Sequence, residues 1–175
     1  MTDPLEILYE AINKQGANAI KSKRINPFIT VAGDKIWYND AGQVHRDDGP
    51  AVIRKDGTKE WYQHNLLHRD NGPAVENPDG TLEWFKKNVR HREDGPAIEY
   101  SNGDKYWWIK NGQHREDGPA VIRTDGTKGW WLDDKKYTED QWLKDERVQK
   151  ALAFKKLEDK GTTDDDFLRT FGKLL

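Results

Sequence analysis

Apolar and polar residues alternate along most of the chain in short runs, and these runs recur at a fixed interval. Tryptophans mark the interval, at steps of 24, 23, 23 and 23 residues: Trp37, Trp61, Trp84, Trp107 and Trp130. In the last four copies an Asp-Gly or Asn-Gly pair comes shortly before the Trp, which is the strongest local signal of a β-hairpin. A fixed period of roughly 20 to 50 residues indicates stacked copies of one supersecondary unit. The pattern therefore predicts one β-hairpin per repeat.

A two-residue turn at each Asp-Gly or Asn-Gly pair fixes the expected register of these hairpins. It places a β-branched residue opposite each Trp, in the pairs Val52–Trp61, Val75–Trp84, Ile98–Trp107 and Val121–Trp130. A second turn is expected in each repeat between the Trp and the following His, and only Asn111-Gly112 keeps a tight Asn-Gly pair there. Leu66 and Val89 replace that Gly in the middle copies. We therefore expect those two second turns to differ in shape.

The other face of the predicted sheet carries a row of aromatic rings. The same register sets a small residue, Ala51, Ala74, Ala97 or Ala120, opposite Tyr62, Phe85, Trp108 or Trp131. The row, which we call the aromatic row, consists of Tyr38, Tyr62, Phe85, Trp108 and Trp131. Such rings can stack on sugars, enclose a quaternary ammonium group or hold a peptide, so the aromatic row is a candidate partner-binding surface. Alternatively, the terminal helices cover it and it is core.

Both ends of the chain carry helix signals. Asp3-Pro4 resembles an N-cap followed by Pro at the first helical position, and Leu5, Leu8, Tyr9 and Ile12 share one helical face. Thr138 to Gln141 form a capping box, which predicts a helix over about 139 to 160. Its apolar side carries Leu143, Phe154 and Leu157 and is broadened by Trp142, Ala151 and Leu152. Thr163, followed by three Asp residues, predicts the start of a second C-terminal helix. The apolar faces of the C-terminal helices pack on the last hairpin, cover the aromatic row, or pair with a second copy of the chain.

The predicted fold class is mainly β with flanking helices. It is an elongated, single-layer antiparallel sheet of about ten strands, capped by one N-terminal and two C-terminal helices. We expect a single domain over residues 1–175. Residues 1–32 form a helical cap and a lead-in strand, residues 33–137 form five hairpin repeats, and residues 138–175 form the C-terminal cap.

A His-Arg pair precedes each Gly-Pro, at the predicted connection between repeats. The arginines are Arg46, Arg69, Arg92 and Arg115, and this ladder is a second candidate partner-binding surface, for phosphates or carboxylates. Ion pairs with the neighbouring acids are the alternative. The histidines cannot share a metal, because equivalent residues recur about 9.6 Å apart whereas ligands lie about 2.0 to 2.2 Å from the ion. We expect their imidazoles to bond the backbone or to pack on Trp.

Composition narrows the classes of function. Only 34% of residues are apolar and the mean hydropathy is -1.06, so the 8 Trp, 6 Tyr and 5 Phe must supply the core. A net charge of -2 gives no basic footprint for nucleic acid, and the absence of cysteine excludes thiol catalysis. No signal segment or membrane span is visible, so we expect a cytoplasmic protein without a membrane partner. No nucleophile elbow or phosphate loop is present either, so we expect no enzyme, cofactor or metal.

The repeat, typified by WWIKNGQHREDGPAVIRTDG, resembles the MORN repeat family over about residues 33 to 137. The departure is the HRxDGPA segment, since typical MORN repeats have Gly directly after His. The resemblance implies an open β-sheet that serves protein assembly, or in some members contacts lipid headgroups, and it implies no shared catalytic residues. The variant repeat also resembles those of viral and bacterial accessory proteins, which implies an inhibitor or immunity role.

The expected function is therefore that of a non-enzymatic protein-interaction module whose partner is another protein. Two alternatives use the aromatic row. Trp-rich hairpin repeats also resemble choline-binding repeats, which implies a carbohydrate or choline-like ligand. The row could also contact anionic lipid. A homodimer through the C-terminal helices is a further alternative.

Overall fold

The computed structural model describes residues 27–159, and the chain divides into two compact units with the boundary between Val89 and Arg90. The strands, most of them two residues long, are β1 (Phe28–Ile29), β2 (Lys35–Ile36), β3 (Val52–Ile53), β4 (Lys59–Glu60), β5 (Tyr62–Gln63), β6 (Leu66–Leu67), β7 (Val75–Glu76), β8 (Leu82–Glu83), β9 (Phe85–Lys86), β10 (Val89–Arg90), β11 (Ile98–Glu99), β12 (Lys105–Tyr106), β13 (Trp108–Ile109), β14 (Gly112–Gln113), β15 (Val121–Ile122), β16 (Lys128–Leu132) and β17 (Lys135–Tyr137).

Eleven of these strands are main-sheet strands, which pair antiparallel within each unit. Six belong to the first unit, in the order β1-β2-β3-β4-β7-β8, and five to the second, in the order β11-β12-β15-β16-β17. The lead-in strand that we predicted before residue 33 is β1. The predicted mainly β fold with flanking helices is confirmed in this part of the chain.

The hairpin turns at the Asp-Gly and Asn-Gly pairs have three loop residues, where we predicted two. Gly57 donates its N–H to the carbonyl of Arg54 at 3.0 Å, and Arg54 donates to the carbonyl of Thr58 at 2.8 Å. Gly57 has a φ of 96°, and the Asp56 carboxylate accepts the N–H of Thr58 at 2.8 Å. This geometry is that of a type I turn followed by a glycine bulge. The Asp side chain favours it because it satisfies the N–H that the bulge leaves over.

The third loop residue shifts the register by one position. Val52 lies opposite Glu60, where we predicted Trp61. The pairs that we predicted for Val75, Ile98 and Val121 are wrong in the same way, and the observed partners are Glu83, Tyr106 and Gly129. Because side chains alternate between the two faces of a strand, this shift removes the repeated Trp from the pairing that we assigned to it.

In the first four copies the repeated Trp instead lies just beyond a main-sheet strand, where the chain enters a second, smaller hairpin, whereas Trp130 lies within β16. Trp61 donates its N–H to the carbonyl of Ala74 at 2.8 Å and accepts the N–H of His68 at 2.9 Å. Beyond it, β5 and β6 form a separate sheet that pairs Tyr62 with Leu67. The predicted pairing of Ala51 with Tyr62 is therefore wrong. Trp108 and Trp131 likewise pair with Gln113 and Lys136 rather than with Ala97 and Ala120.

The turns of the last four small hairpins share one conformation. His64 and Asn65 have φ angles of 51° and 65°, and the equivalent residues in the three later copies have nearly the same values. The first copy differs, because its turn has three loop residues and places Gly42 at a φ of 75°. Our expectation that Leu66 and Val89 change the turn is wrong, because the Asn and not the residue after it occupies the second turn position. Asn65 also joins consecutive repeats: its side-chain oxygen accepts the N–H of Val44 at 2.7 Å, and its own N–H donates to the Val44 carbonyl at 2.9 Å.

Two helices follow the last hairpin, α1 (Glu139–Trp142) and α2 (Glu146–Glu158). The predicted capping box is present, with Thr138 and Gln141 exchanging hydrogen bonds at the start of α1. The single helix predicted over 139 to 160 is interrupted, because the Asp145 carboxylate caps a new helix by accepting the N–H of Arg147 at 3.0 Å. A side chain that binds first-turn N–H groups starts a helix at its own position.

The described helices pack on the last hairpin, one of the alternatives left open by the sequence. Trp142 and Val148 are buried against Leu132, with Trp130 and Tyr137 beside them. The predicted apolar side is confirmed in part, since Trp142 is buried and Leu152 packs beside it, whereas Leu143 and Phe154 are exposed. The predicted N-terminal helix and the second C-terminal helix lie outside the described residues. No helix within 27–159 has the length and apolarity needed to cross a bilayer.

Candidate interaction surface

Consecutive repeats are joined by six-residue segments with the pattern His-Arg-acid-Asp/Asn-Gly-Pro. We call these segments the connections; they are residues 45–50, 68–73, 91–96 and 114–119. Each connection has an inner side, which faces the repeated Trp in the first, second and fourth connections, and an outer side toward solvent. The two sides differ in chemistry, so each is described in turn.

The arginine of a connection packs on a tryptophan ring. The guanidinium carbon lies 4.4 Å from the ring centroid for Arg46 on Trp37, and 3.9 Å for Arg69 on Trp61. Arg115 lies 4.0 Å from the centroid of Trp107. A planar cation over an indole face gains from the ring quadrupole and from dispersion. The arginine is thus attached to the Trp that sets the repeat.

A glycine closes the other side of the arginine. A Cβ placed on Gly49, Gly72 or Gly118 would lie 3.0 to 3.1 Å from the guanidinium carbon, and on Gly95 only 2.7 Å. A methyl group at this distance would force the guanidinium to shift. The Gly of each Gly-Pro pair is therefore set by the guanidinium that packs against it, which explains why His, Arg and Gly recur together.

Acidic and carbonyl oxygens take up the remaining guanidinium N–H groups. The Nε of Arg46 lies 2.7 Å from the Asp48 carboxylate, and NH1 of Arg69 lies 3.0 Å from both Glu76 and the Pro73 carbonyl. Hydrogen bonds from Arg46 and Arg92 lower the pKa of Asp48 and of Asp94. These contacts agree with the ion pairing that the sequence offered as the alternative role for the Arg ladder.

The imidazoles of the connections are bound to the backbone of the following repeat, as we expected. Nδ1 of His45 accepts the N–H of His64 at 3.3 Å, and Nδ1 of His68 accepts the N–H of Lys87 at 3.3 Å. An Nδ1 that accepts leaves the proton on Nε2 in the neutral ring. Nε2 of His68 lies 3.2 Å from the Asp70 carboxylate, within reach of a hydrogen bond. Within residues 27–159 no three side chains of metal-binding type are grouped as a site.

The fourth connection also holds the C-terminal helices. The indole Nε1 of Trp142 donates to the carbonyl of Arg115 at 3.0 Å, and the Lys155 ammonium lies 2.9 Å from the Asp117 carboxylate. Partial burial acts to raise the pKa of Asp117, but the hydrogen bonds and charges of Arg115 and Lys155 outweigh it and hold the pKa at about 2. This carboxylate therefore stays ionised in the folded protein.

The outer side of each connection presents a carboxylate. The acid that follows the Arg is highly exposed in three of the connections, at 86% for Asp47, 68% for Asp70 and 80% for Glu93. Each contacts an imidazole rather than a cationic partner. Glu116, at the same position of the fourth connection, is 36% exposed. We call these four residues the outer acids, since each places a carboxylate on the outer side of its connection while the Arg beside it is paired inside.

A cleft of about 630 Å³ lies between the first two connections, within the first unit. Trp61 and Gln63 contribute to its lining, and Asp47, Asp48 and Asp70 line it from the two connections. The outer acids of that unit therefore border a concave surface.

The aromatic row is partly buried along its whole length. The main-chain carbonyl of Tyr62 accepts the N–H of Arg46 at 3.3 Å, and that of Trp131 accepts the N–H of Arg115 at 3.1 Å. Burial raises the pKa of Tyr62. The core under the C-terminal helices contains Trp130 and not its neighbour Trp131, so the described helices pack beside the row. Its role in binding stays a prediction.

The outer acids are what the sequence interpretation missed. We treated the acids of the HRxDG segment as partners for Arg, but the first of the two acidic positions points away from it. The sequence did contain a signal for them. Residues 45–50, 91–96 and 114–119 each hold two acids beside one Arg, so one carboxylate in each segment has no Arg to pair with. Neither a protein-family model nor a curated protein matches the chain.

Proposed function

We propose that this protein is a non-enzymatic interaction module that binds another protein through the outer side of its connections. The observation that supports this is the division of charge. The Arg side chains are held by Trp, Gly and carboxylates, whereas Asp47, Asp70 and Glu93 project into solvent without a cationic partner of their own. The partner surface that complements this edge is basic.

Regular spacing adds specificity to the charge. Equivalent residues within a unit lie two main-sheet strands apart, or about 9.6 Å. Arginine side chains on a partner can grip such carboxylates in a bidentate manner. Exposed charges arranged in this way steer association and fix orientation more than they add affinity. The MORN-like character of the repeat, which resembles modules used in protein assembly, supports the same role.

The test is a capture experiment with charge-reversed variants. The protein is immobilised and used to capture proteins from the cells that express it, in parallel with Asp47→Lys and Glu93→Lys. Glu158→Lys, on an exposed position at the end of α2, makes the same charge change away from the connections. We expect Asp47→Lys and Glu93→Lys to lose the captured protein, and Glu158→Lys to keep it.

The salt dependence provides a second reading of the same experiment. Capture through exposed carboxylates weakens as salt rises, because exposed charges are screened beyond about 8 Å at physiological ionic strength. Tyr38→Ala, which removes a ring of the aromatic row, is a fourth variant. Equal capture by the three charge variants, or loss of capture in Tyr38→Ala alone, would contradict the proposal. The latter result would assign binding to the aromatic row.

A further inference from the structure

The first strand of the sheet exposes an apolar side chain whose counterpart in the next repeat is buried. Phe28 and Ile29 are 59% and 53% exposed, whereas Val52, which stands 24 residues after Phe28 at the same position of the next repeat, is 6% exposed. Val52 is covered because β2 pairs alongside β3, with Ile36 opposite Val52. Among the described residues β1 has a partner on one edge only, β2. In the next copy, the edge that is open in β1 is therefore covered by a neighbouring strand.

The loop after β1 also exposes an apolar side chain, whereas the equivalent loops of the later repeats do not carry a branched apolar residue at this position. Val31 is fully exposed, and the residues at the equivalent position in the later repeats are Lys55, Pro78, Ser101 and Thr124. A branched apolar side chain on a loop tip, next to an apolar strand edge, forms a continuous patch with it. Exposed apolar strand edges recruit another chain unless something covers them.

The last hairpin shows that this chain covers apolar positions with its own helices. There, α1 and α2 follow β17 directly and bury Trp142 and Val148 against Leu132. The segment that precedes β1 also carries apolar residues with the spacing of an amphipathic helix. Residues 1–26 lead directly into Pro27, and they carry Leu5, Leu8, Tyr9 and Ile12 at helical spacing.

We propose that residues 1–26 dock on β1, with the face formed by Leu5, Leu8, Tyr9 and Ile12 packed against Phe28, Ile29 and Val31. The connection is long enough. The residues between Ile12 and Pro27 span up to about 50 Å when extended, so the segment can fold back on the strand beside it. A segment attached so closely also has an effective concentration in the millimolar range, which favours it over a second chain at micromolar concentration.

Disulfide trapping tests this contact cleanly, because the chain has no cysteine of its own. Three double variants of the full chain are compared: Leu8→Cys with Val31→Cys, Ile12→Cys with Val31→Cys, and Glu10→Cys with Val31→Cys. Glu10 lies on the opposite side of the predicted helix, so the third variant is the matched control. Val31 is fully exposed, so its replacement does not disturb the sheet.

At micromolar protein under mild oxidation, we expect an intramolecular disulfide in at least one of the first two variants, formed about tenfold or more faster than in the Glu10 control. Equal rates in all three variants would mean that no particular face docks. Disulfides formed mainly between chains would show that a second copy covers β1. Either result overturns the proposal.

Hydrogen exchange gives an independent measurement that needs no cross-link. In the full chain, Leu8→Asp combined with Ile12→Asp should speed exchange at Ile29 and Val31 and leave β11 and β12 unchanged. Unchanged exchange at Ile29 and Val31 would also overturn the proposal.

Discussion

The inner and outer sides of a connection are built from adjacent residues, yet they differ in almost every physical respect. On the inner side Arg69 lies 3.9 Å above Trp61, against Gly72, and bonds a backbone carbonyl and a carboxylate. On the outer side Asp70 is 68% exposed. The same six residues therefore hold the fold with one face and present charge with the other. Because the inner contacts repeat so closely, they place the outer acids in a constant setting.

The largest effect should come from removing an inner ring. Trp61→Ala deletes the surface on which Arg69 packs, and we expect it to lower the free energy of unfolding by about 3 kcal/mol, since large-to-small changes of buried aromatics cost about 3 to 5 kcal/mol. Urea denaturation measures this loss. A loss below about 1 kcal/mol would mean that the inner side contributes little to stability.

A smaller loss is expected where a side chain is added next to the guanidinium. A Cβ on Gly95 would lie 2.7 Å from the guanidinium carbon of Arg92, so Gly95→Ala should displace that group from the Asp94 carboxylate and the Pro96 carbonyl. We expect a cost of about 1 to 2 kcal/mol. Gly112→Ala is the control, because its Cβ would meet its nearest neighbour at 3.4 Å, an ordinary contact. Equal losses for the two variants would argue against a role for the close approach.

Acid should weaken the attachment of the C-terminal helix to the fourth connection. The pKa of Asp117 is about 2 in the folded protein and about 3.8 in the unfolded chain, so its contribution is present above pH 4 and is lost as the pH falls from about 4 to about 2. Asp117 is partly exposed, so solvent screening limits the effect to under about 1 kcal/mol.

Asp117→Asn provides the measurement for this effect. Its free energy of unfolding should fall less than that of the parent protein between pH 5 and pH 2, and the contribution of Asp117 should shrink toward pH 2, where about half of the folded-state carboxylates are protonated. Parallel curves over that range would show that Asp117 is not coupled to Arg115 and Lys155.

The outer side should show the smallest effect on stability. Asp47→Lys reverses an exposed charge that contacts only an imidazole among the interactions described, so we expect a change within about 0.5 kcal/mol. The same variant should lose capture of the partner, as proposed above. A destabilisation of several kcal/mol would remove the distinction between the two sides, because lost capture would then reflect lost folding.

The sequence predicted the repeat, its hairpins and the capping box, because each follows from residue spacing and from local hydrogen bonding. It missed the register, since Asp56-Gly57 fits both a two-residue turn and the three-residue loop observed, in which Gly57 takes the bulge position. It also placed one helix over residues 139 to 160, because a helical pattern of apolar residues does not reveal that Asp145 caps a second helix.

The candidate site was predicted in part. Ion pairing of the Arg ladder was weighed from the neighbouring acids, but the stacking of Arg69 on Trp61 depends on a contact between residues of different strands that the sequence does not fix. Because that contact turns the guanidinium inward, the exposed group of the segment is the acid beside it. The pattern HRxDG shows that an Arg and acids are present, but it does not show which of these side chains faces inward and which faces solvent.

The most direct test of this division is an NMR measurement on the four connection arginines, Arg46, Arg69, Arg92 and Arg115. A guanidinium held against an indole face and bonded to a carboxylate should give an Nε–H signal shifted upfield by the ring and protected from exchange with water. We predict shifted and protected signals for Arg46 and Arg115, whose Nε atoms lie 2.7 Å from the Asp48 and Asp117 carboxylates. For Arg69, which bonds its carboxylate through NH1, we predict the upfield shift alone, from its ring contact at 3.9 Å. Nε–H signals at the positions of free arginine, exchanging rapidly with water, would contradict the account.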